Sequence, residues 1–173
     1  TFRTTSDRGG ALIIYLTAGY PTMEESRDLF IAAAHSGADV LEVGVPFSDP
    51  IADGPVIQEA CHEALQAGAN LEKILQMVSA LSGEIDTSLV MMTCYNPILA
   101  YGQEAFGQAA AEAGLDGVLI ADLPPSESDS WCETADDNDL QTVFLVAPTT
   151  PRERLEAIIE RTTGFVYVIS SRG

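Results

Sequence analysis

Positive charge is scarce in this chain. Its 173 residues include 8 lysines and arginines, among them a single lysine, Lys73, against 26 aspartates and glutamates, so the formal net charge is −18. Such a chain repels nucleic-acid phosphates and anionic membranes, which excludes both as partners. The acids are spread along the sequence, with a denser patch at residues 127–139. They indicate either an ordinary solvated surface or a protein from a high-salt cytoplasm, where salt would screen the self-repulsion.

The sequence also lacks the motifs of several common protein classes. Its three cysteines follow no motif spacing, which favours a reduced, cytoplasmic compartment. Its apolar runs are too short to span a membrane, and no leader precedes a cleavage site. His35 and His62 have no ligand spacing, so no metal site is predicted. The absence of Gly-x-Gly-x-x-Gly after the first strand and of Gly-x-Ser-x-Gly argues against dinucleotide binding and nucleophilic hydrolysis.

Short apolar runs alternate with amphipathic stretches along the whole chain. Alternation of this kind is typical of right-handed βαβ units and a parallel sheet. The predicted strands are residues 11–17, 39–45, 88–93, 117–121, 142–146 and 165–169.

Local signals mark several helices between these strands. Capping boxes are predicted where Thr22 precedes Glu25 and where Thr150 precedes Glu153, with Pro151 at the first helical position. Asn70 is a predicted N-cap. Two apolar helix faces are also predicted, one from Leu71, Ile74, Leu75 and Val78 and one from Leu155, Ile158 and Ile159.

An internal repeat favours a barrel over a doubly wound sheet. Residues 37–46 resemble residues 114–124, and both segments read as helix end, glycine, aspartate, strand and proline. A (β/α)8 TIM barrel usually needs about 250 residues and eight strands. The sequence therefore predicts an α/β protein with one domain over residues 1–173, a TIM barrel truncated to about its first six β/α units.

One predicted strand carries a carboxylate where an apolar residue is expected. Glu42 interrupts the apolar run at residues 40–45, and burial of a lone carboxylate is costly unless it is paired or its pKa moves. Asp53 follows in a loop rich in glycine and proline. An acid on a strand and an acid on the following loop can face one pocket and perform acid–base chemistry. On the residues alone, Asp53 is equally consistent with an Asx-turn.

The segment at residues 40–55 resembles the signature of the tryptophan synthase alpha subunit family. Four shorter motifs follow in family order, at residues 15–21, 95–97, 121–124 and 147–151. The resemblance implies a TIM barrel and a lyase of tryptophan biosynthesis. Its reaction would be the retro-aldol cleavage of indole-3-glycerol phosphate to indole and glyceraldehyde 3-phosphate.

The resemblance also implies roles for three residues. Glu42 would be the acid–base group that protonates the indole ring carbon as the carbon–carbon bond breaks. Asp53 would accept a hydrogen bond from the indole N–H and stabilise the positive charge developing on the ring. Tyr167 would line the site and help to place the acid, although a core tyrosine with a satisfied hydroxyl explains its strand position as well.

An apolar slot for the indole ring is implied next. Each of its residues is equally consistent with plain barrel core, and Cys94 departs from the tyrosine that the family commonly has at its position. Asp122 is either a residue near the subunit interface or a capping residue. The implied slot consists of Tyr15, Met92, Leu119, Ala121 and Leu145.

Family members of this kind act with a beta subunit. The resemblance implies that Pro46, Phe47, Asp49 and Asn96 contact that subunit, with Phe47 exposed on its loop. An α2β2 heterotetramer is implied, in which pyridoxal phosphate belongs to the beta subunit and no cofactor belongs to this chain. The compartment would be the cytoplasm.

Two further interpretations stay open. The chain could be a non-catalytic short form that binds and modulates the beta subunit, or a stand-alone lyase that releases indole. Barrels of this class hold the substrate phosphate at the loops after strands 7 and 8, which the sequence does not contain. The 173-residue chain alone is therefore expected to cleave substrate very poorly or not at all.

Overall fold

The computed structural model describes residues 9–49 and 53–169, where six parallel strands alternate with helices. The six strands lie where the apolar runs predict them, with bounds that differ by at most two residues. They are β1 (Ile13–Thr17), β2 (Val40–Gly44), β3 (Ser88–Thr93), β4 (Gly117–Ile120), β5 (Gln141–Val146) and β6 (Val166–Val168).

Helices connect each strand to the next. Two helices connect β2 to β3, and two more connect β3 to β4. A 3-10 turn at Pro125–Glu127 precedes the helix that leads to β5. The α-helices are α1 (Met23–His35), α2 (Pro55–Gln66), α3 (Leu71–Ser82), α4 (Tyr95–Tyr101), α5 (Gln103–Glu112), α6 (Asp129–Asp137) and α7 (Arg152–Arg161).

The strands pair in sequence order, from β1 at one edge of the described sheet to β6 at the other. Every pair is parallel, and Tyr15 lies opposite Glu42, which lies opposite Val90. Because side chains alternate along a strand, one face of the sheet points into the half-barrel and the other toward the helices. The structure is thus an open six-stranded half-barrel, as the truncated TIM barrel predicts.

The two faces of the sheet have separate apolar cores. The inner face, here called the lumen, gathers a cluster around Val40, Val90, Leu119 and Val143. The outer face packs against the helices in a larger cluster that includes Trp131, the only tryptophan of the chain. Trp131 is 2% exposed and its ring centre lies 5.8 Å from that of Phe106. Burial of both faces is typical of a parallel sheet and explains why its strands read as continuous apolar runs.

Two of the three predicted helix caps are confirmed. The Thr22 hydroxyl oxygen accepts a hydrogen bond from the Glu25 N–H at 3.2 Å, and the hydroxyl donates to the Glu25 carboxylate at 2.8 Å. The Asn70 side chain accepts from the Lys73 N–H at 3.0 Å.

The third cap prediction is wrong. Pro151 is itself the N-cap of α7 rather than its first helical residue, and it provides no side-chain hydrogen bond. The Thr150 hydroxyl instead accepts from the Ala147 N–H at 2.9 Å, which closes the turn after β5. The predicted apolar face of α7 is also too wide, because Ile158 is buried while Ile159 is 55% exposed. The face predicted for α3 is confirmed, since all four of its residues are buried.

In the part of the chain that the structure describes, no helix is long and apolar enough to cross a membrane.

Candidate active site

Glu42 is the most unusual residue of the lumen. All five residues of β2 are buried, and Glu42 is 2% exposed. Its Oε1 has no hydrogen-bond partner among the described residues. Burial raises the pKa of this carboxyl above its ordinary value of 4.5, because the charged form loses its hydration. A raised pKa keeps a proton on the group nearer to neutral pH, which suits a general acid.

Asp53 lies in the loop between β2 and α2. Asp53 directly precedes Gly54, which is the N-cap of α2, and Pro55 is the first residue of that helix. The Gln58 amide donates to the Asp53 carbonyl at 2.9 Å and holds this turn. The Asp53 carboxyl is half-buried, and burial raises its pKa.

Tyr15 connects the two acids. Burial above all raises the pKa of the Tyr15 hydroxyl far above its usual range, and negative charge on Cys61, Asp53 and Glu42 raises it further. Charges act on one another in this way only when they share an environment. Both Glu42 and Asp53 therefore act on the Tyr15 phenol, and their joint action in one pocket stays a prediction.

The Tyr15 ring lies against the backbone of Gly44. A Cβ atom built on Gly44 would come within 2.5 Å of Tyr15 Cε2 and nearer still to its hydroxyl. Gly44 follows Glu42 by two residues on the same face of β2. The Tyr15 phenol thus covers β2 at Gly44, two residues beyond Glu42 toward the carboxyl end of the strand. This position contributes to the burial of Glu42.

Gly44→Ala is expected to lower the free energy of unfolding by about 1–3 kcal/mol, because the new methyl group overlaps the Tyr15 phenol. Urea unfolding followed by circular dichroism measures the loss. Gly83→Ala is the matched control, since a Cβ at Gly83 meets no atom closer than 3.6 Å. Adding Tyr15→Leu to Gly44→Ala should recover part of the loss. Equal stability of the two glycine variants would contradict the close contact.

Tyr167 reaches the site from the opposite edge of the sheet. It lies on β6 opposite Leu145 and is half-buried. Burial raises the pKa of its hydroxyl, and the negative charge of Glu42 raises it further. The charge of Glu42 thus acts on this hydroxyl, and the role of Tyr167 in placing the acid stays a prediction.

Four of the five residues implied for the indole slot belong to one apolar cluster, and their role in binding stays a prediction. Met92, Ala121, Leu145 and Tyr167 pack around the fully buried Leu119 in the lumen cluster. Tyr15 shares this face through its register with Glu42. The lumen therefore offers an apolar slot with carboxyl and phenol groups at its edge, which is the usual composition of a small-molecule site.

Two thiols interact electrostatically with Asp53, and no motif in the sequence indicates this for Cys61. Burial raises the pKa of Cys94 to about 11, with contributions from the charges of Asp122, Asp53 and Cys61. Burial also raises the pKa of Cys61 on α2, and a hydrogen bond to the backbone of Phe47 partly offsets this rise. Cys61 lies eight residues after Asp53 with no motif between them, so only the tertiary fold shows their proximity.

Asp122 forms a hydrogen bond to the start of α4, next to Cys94. The Asp122 Oδ1 accepts a hydrogen bond at 2.7 Å from the N–H of Tyr95, which is the first residue of α4. This bond agrees with the interpretation of Asp122 as a capping residue. The Tyr95 hydroxyl donates to Gln103 Oε1 at 2.6 Å, and Gln103 Nε2 donates to Thr134 at 2.8 Å. This chain of contacts fixes the loop that carries Cys94.

The predicted partner-contact residues differ in accessibility. Pro46 is buried and Phe47 is half-buried, so Phe47 is less accessible than the exposed residue that the sequence predicts. Asp49 and Asn96 are exposed. All four follow the carboxyl ends of β2 and β3, at the same end of the half-barrel as Asp53.

A family model described as tryptophan synthase alpha chain matches residues 2–173. The chain belongs to the tryptophan synthase alpha chain family. The relative from Marinobacter nauticus is 50% identical over 164 residues, which are 94% of this chain and 61% of the relative. The relative from Methanosarcina mazei is 46% identical and is covered over 60% of its length. The chain thus spans about three fifths of the length of these curated tryptophan synthase alpha chains.

Solved structures of the family have the same fold. Tryptophan synthase from Mycobacterium tuberculosis matches 99% of this chain, over 67% of its own, with a TM-score of 0.95 and 39% identity. The alpha subunit from Legionella pneumophila matches 98% of this chain, over 65% of its own, with a TM-score of 0.94 and 37% identity. The described half-barrel is therefore the arrangement found in about two thirds of a tryptophan synthase alpha chain.

Proposed function

We propose that this chain carries the acid–base half of a tryptophan synthase alpha active site, a lyase that cleaves indole-3-glycerol phosphate to indole and glyceraldehyde 3-phosphate. The supporting observation is Glu42, a buried carboxyl with an unpartnered oxygen on the lumen face, in a chain of this family. A carboxyl without a structural partner is costly to the fold, which is reasonable where its proton is needed for a reaction.

The proposed chemistry assigns one role to each group. Glu42 gives its proton to the indole ring carbon as the bond from that carbon to the glycerol phosphate side chain breaks. Asp53 accepts a hydrogen bond from the indole N–H and stabilises the positive charge that develops on the ring. The Tyr167 hydroxyl helps to position the Glu42 carboxyl. The ring itself lies against Met92, Leu119, Ala121, Leu145 and Tyr15.

The proposed partner is a tryptophan synthase beta subunit in an α2β2 assembly. A solved structure of a tryptophan synthase complex from Pyrococcus furiosus contains a chain 43% identical to this one, with a TM-score of 0.89. A second solved structure from the same organism concerns the mutual activation of a tryptophan synthase α2β2 complex. Contacts are proposed at Phe47, Asp49 and Asn96. Pro46, which is buried on the same loop, would help to position Phe47. The beta subunit would hold pyridoxal phosphate, and the compartment would be the cytoplasm.

A second candidate is a non-catalytic short form that binds and modulates the beta subunit. The buried Glu42 and half-buried Asp53 favour the lyase, because a purely regulatory protein needs neither in the lumen. A stand-alone lyase differs from the first proposal only in having no beta partner.

The deciding experiment combines a mass with two assays. The intact mass of the protein from its native source is compared with 18.4 kDa, and the same sample is assayed for indole release with and without a beta subunit. Indole release by a polypeptide roughly 8–10 kDa heavier supports the lyase, since a complete barrel has about 250 residues. A mass of 18.4 kDa, no indole release and a changed beta-subunit rate would support the regulatory form. Near-full activity at 18.4 kDa would overturn the expectation that the phosphate loops are required.

Asp53→Asn is expected to lower the rate of indole release by about 10²-fold or more, because the amide cannot stabilise the developing positive charge as a carboxylate does. Steady-state kinetics on the indole-releasing form measures the effect. Asp49→Asn, on the same loop but exposed, is the matched control and should leave the cleavage rate within about twofold in the absence of a beta subunit. An unchanged rate for Asp53→Asn would remove this residue from the mechanism.

A further inference from the structure

A cavity lies beside the lumen, at the carboxyl ends of β4 and β5. Its volume is about 480 Å³, within the range of small-molecule sites. It adjoins the lumen at Ala121 and Leu145 but extends away from Glu42, over the outer face of the sheet. The floor is apolar and well packed, formed by Ile120, Phe144, Val146 and Ile158.

Arg154 stands at the edge of this cavity without a partner. Within the described residues, the other cationic side chains all have one: Arg27 pairs with Glu84, Arg152 with Glu156 and Arg161 with Asp129, and Lys73 donates to the Gly68 carbonyl. No hydrogen bond or ion pair of the Arg154 side chain occurs in that part of the chain. In a protein with 26 acidic and 8 basic residues, an arginine left without a carboxylate is available to a ligand.

The remaining polar groups of the cavity restrict the charge of that ligand. Thr149 and Thr150 also line the cavity, and the Thr150 hydroxyl oxygen accepts a hydrogen bond from the Ala147 N–H. Asp122 lies on the wall from β4, and its carboxylate disfavours a second negative charge. An arginine fork binds a carboxylate with two parallel hydrogen bonds.

We propose that this cavity binds a small apolar molecule that carries a single carboxylate. Its apolar body lies on the floor between Phe144 and Ile158, and its carboxylate meets the Arg154 guanidinium. A dianion such as phosphate is disfavoured because Asp122 repels the additional charge. The proposal does not depend on the lyase reaction, since neither Glu42 nor Asp53 lines this cavity.

The test is isothermal titration of the chain with 3-phenylpropionate at low ionic strength. A dissociation constant below about 1 mM is expected. Arg154→Gln should weaken binding at least about tenfold, and Arg154→Lys should lose less because it keeps the charge. Arg152→Gln is the matched control, since Arg152 lies on the same helix, is exposed and pairs with Glu156 outside the cavity. Both glutamine variants lose the same charge, so general electrostatics cannot distinguish them.

Three outcomes would overturn the proposal. The neutral analogue 3-phenylpropan-1-ol could bind as tightly as the acid, inorganic phosphate could bind more tightly than the acid, or both glutamine variants could weaken binding equally. Circular dichroism establishes that each variant is folded, which is expected because Arg154 is exposed on α7. Binding of the acid in an Asp53→Asn background at unchanged affinity locates the ligand outside the lumen acid–base site.

Discussion

Glu42→Gln is expected to reduce indole release by about 10²–10⁴-fold, the usual contribution of a positioned general acid. Glutamine has nearly the same shape as glutamate but no proton to give to the ring carbon. Burial raises the pKa of Glu42 and so favours the protonated form that a general acid needs. Steady-state kinetics on the indole-releasing form of the protein measures the rate, and circular dichroism establishes that the fold is retained.

The matched control is Glu63→Gln, an exposed glutamate on α2 outside the lumen. It changes the net charge by the same amount and should leave the rate within about twofold. A Glu42→Gln variant that keeps more than about a tenth of the native rate would contradict an essential acid–base role. In that case the role of Glu42 would be structural rather than catalytic.

Glu42→Met is expected to make the protein more stable, by an amount that grows with pH. At pH 8 the gain in unfolding free energy should be about 1–3 kcal/mol, the cost of a buried polar group without a partner. Below pH 4.5 the native carboxyl is protonated in both the folded and the unfolded chain, so the ionisation penalty is absent. Between that value and the raised folded pKa, the unfolded chain releases the proton first. It then binds fewer protons than the folded chain, and native stability falls as pH rises.

Urea unfolding of both proteins from pH 4 to pH 8 at fixed ionic strength gives the difference directly. Comparing a variant with the native protein removes the contributions of the other 25 acidic residues, which both chains share. Glu63→Met is the matched control, because it removes one charge from an exposed position and should change the unfolding free energy by no more than about 0.5 kcal/mol. A difference for Glu42→Met that is flat or falls with pH would show that burial does not disfavour the charged form. Together with the loss of activity, the expected gain would mark Glu42 as a residue kept for chemistry at the expense of stability.

The sequence predicted the strands and the acid because both have local causes. Parallel strands covered on both faces must be apolar throughout, so each run marks a strand and a carboxylate inside one is conspicuous. The position of Glu42 on the lumen face then follows from alternation and register. The Asn70 cap was predictable for the same reason, since its hydrogen bond spans three residues.

The failures have tertiary or competing local causes. Thr150 could have capped α7, but its hydroxyl bonds to the turn after β5, and sequence propensity does not decide between these two partners. Ile159 is apolar but turned about 100° from Ile158 around the helix, so it faces outward where α7 buries only a narrow stripe. Cys61 enters the site through the packing of α2 on the strands, which no spacing in the sequence encodes.

Trp131 gives the molecule an internal reporter of its own folding. As the only tryptophan, buried against Phe106 on the outer face of the sheet, it is the origin of all indole emission from the polypeptide. Its spectrum depends on whether α5 and α6 remain docked, and it belongs to the outer cluster rather than to the lumen cluster. A variant of the lumen that is inactive but emits like the native protein has lost chemistry, whereas one whose emission shifts to longer wavelength has lost its packing.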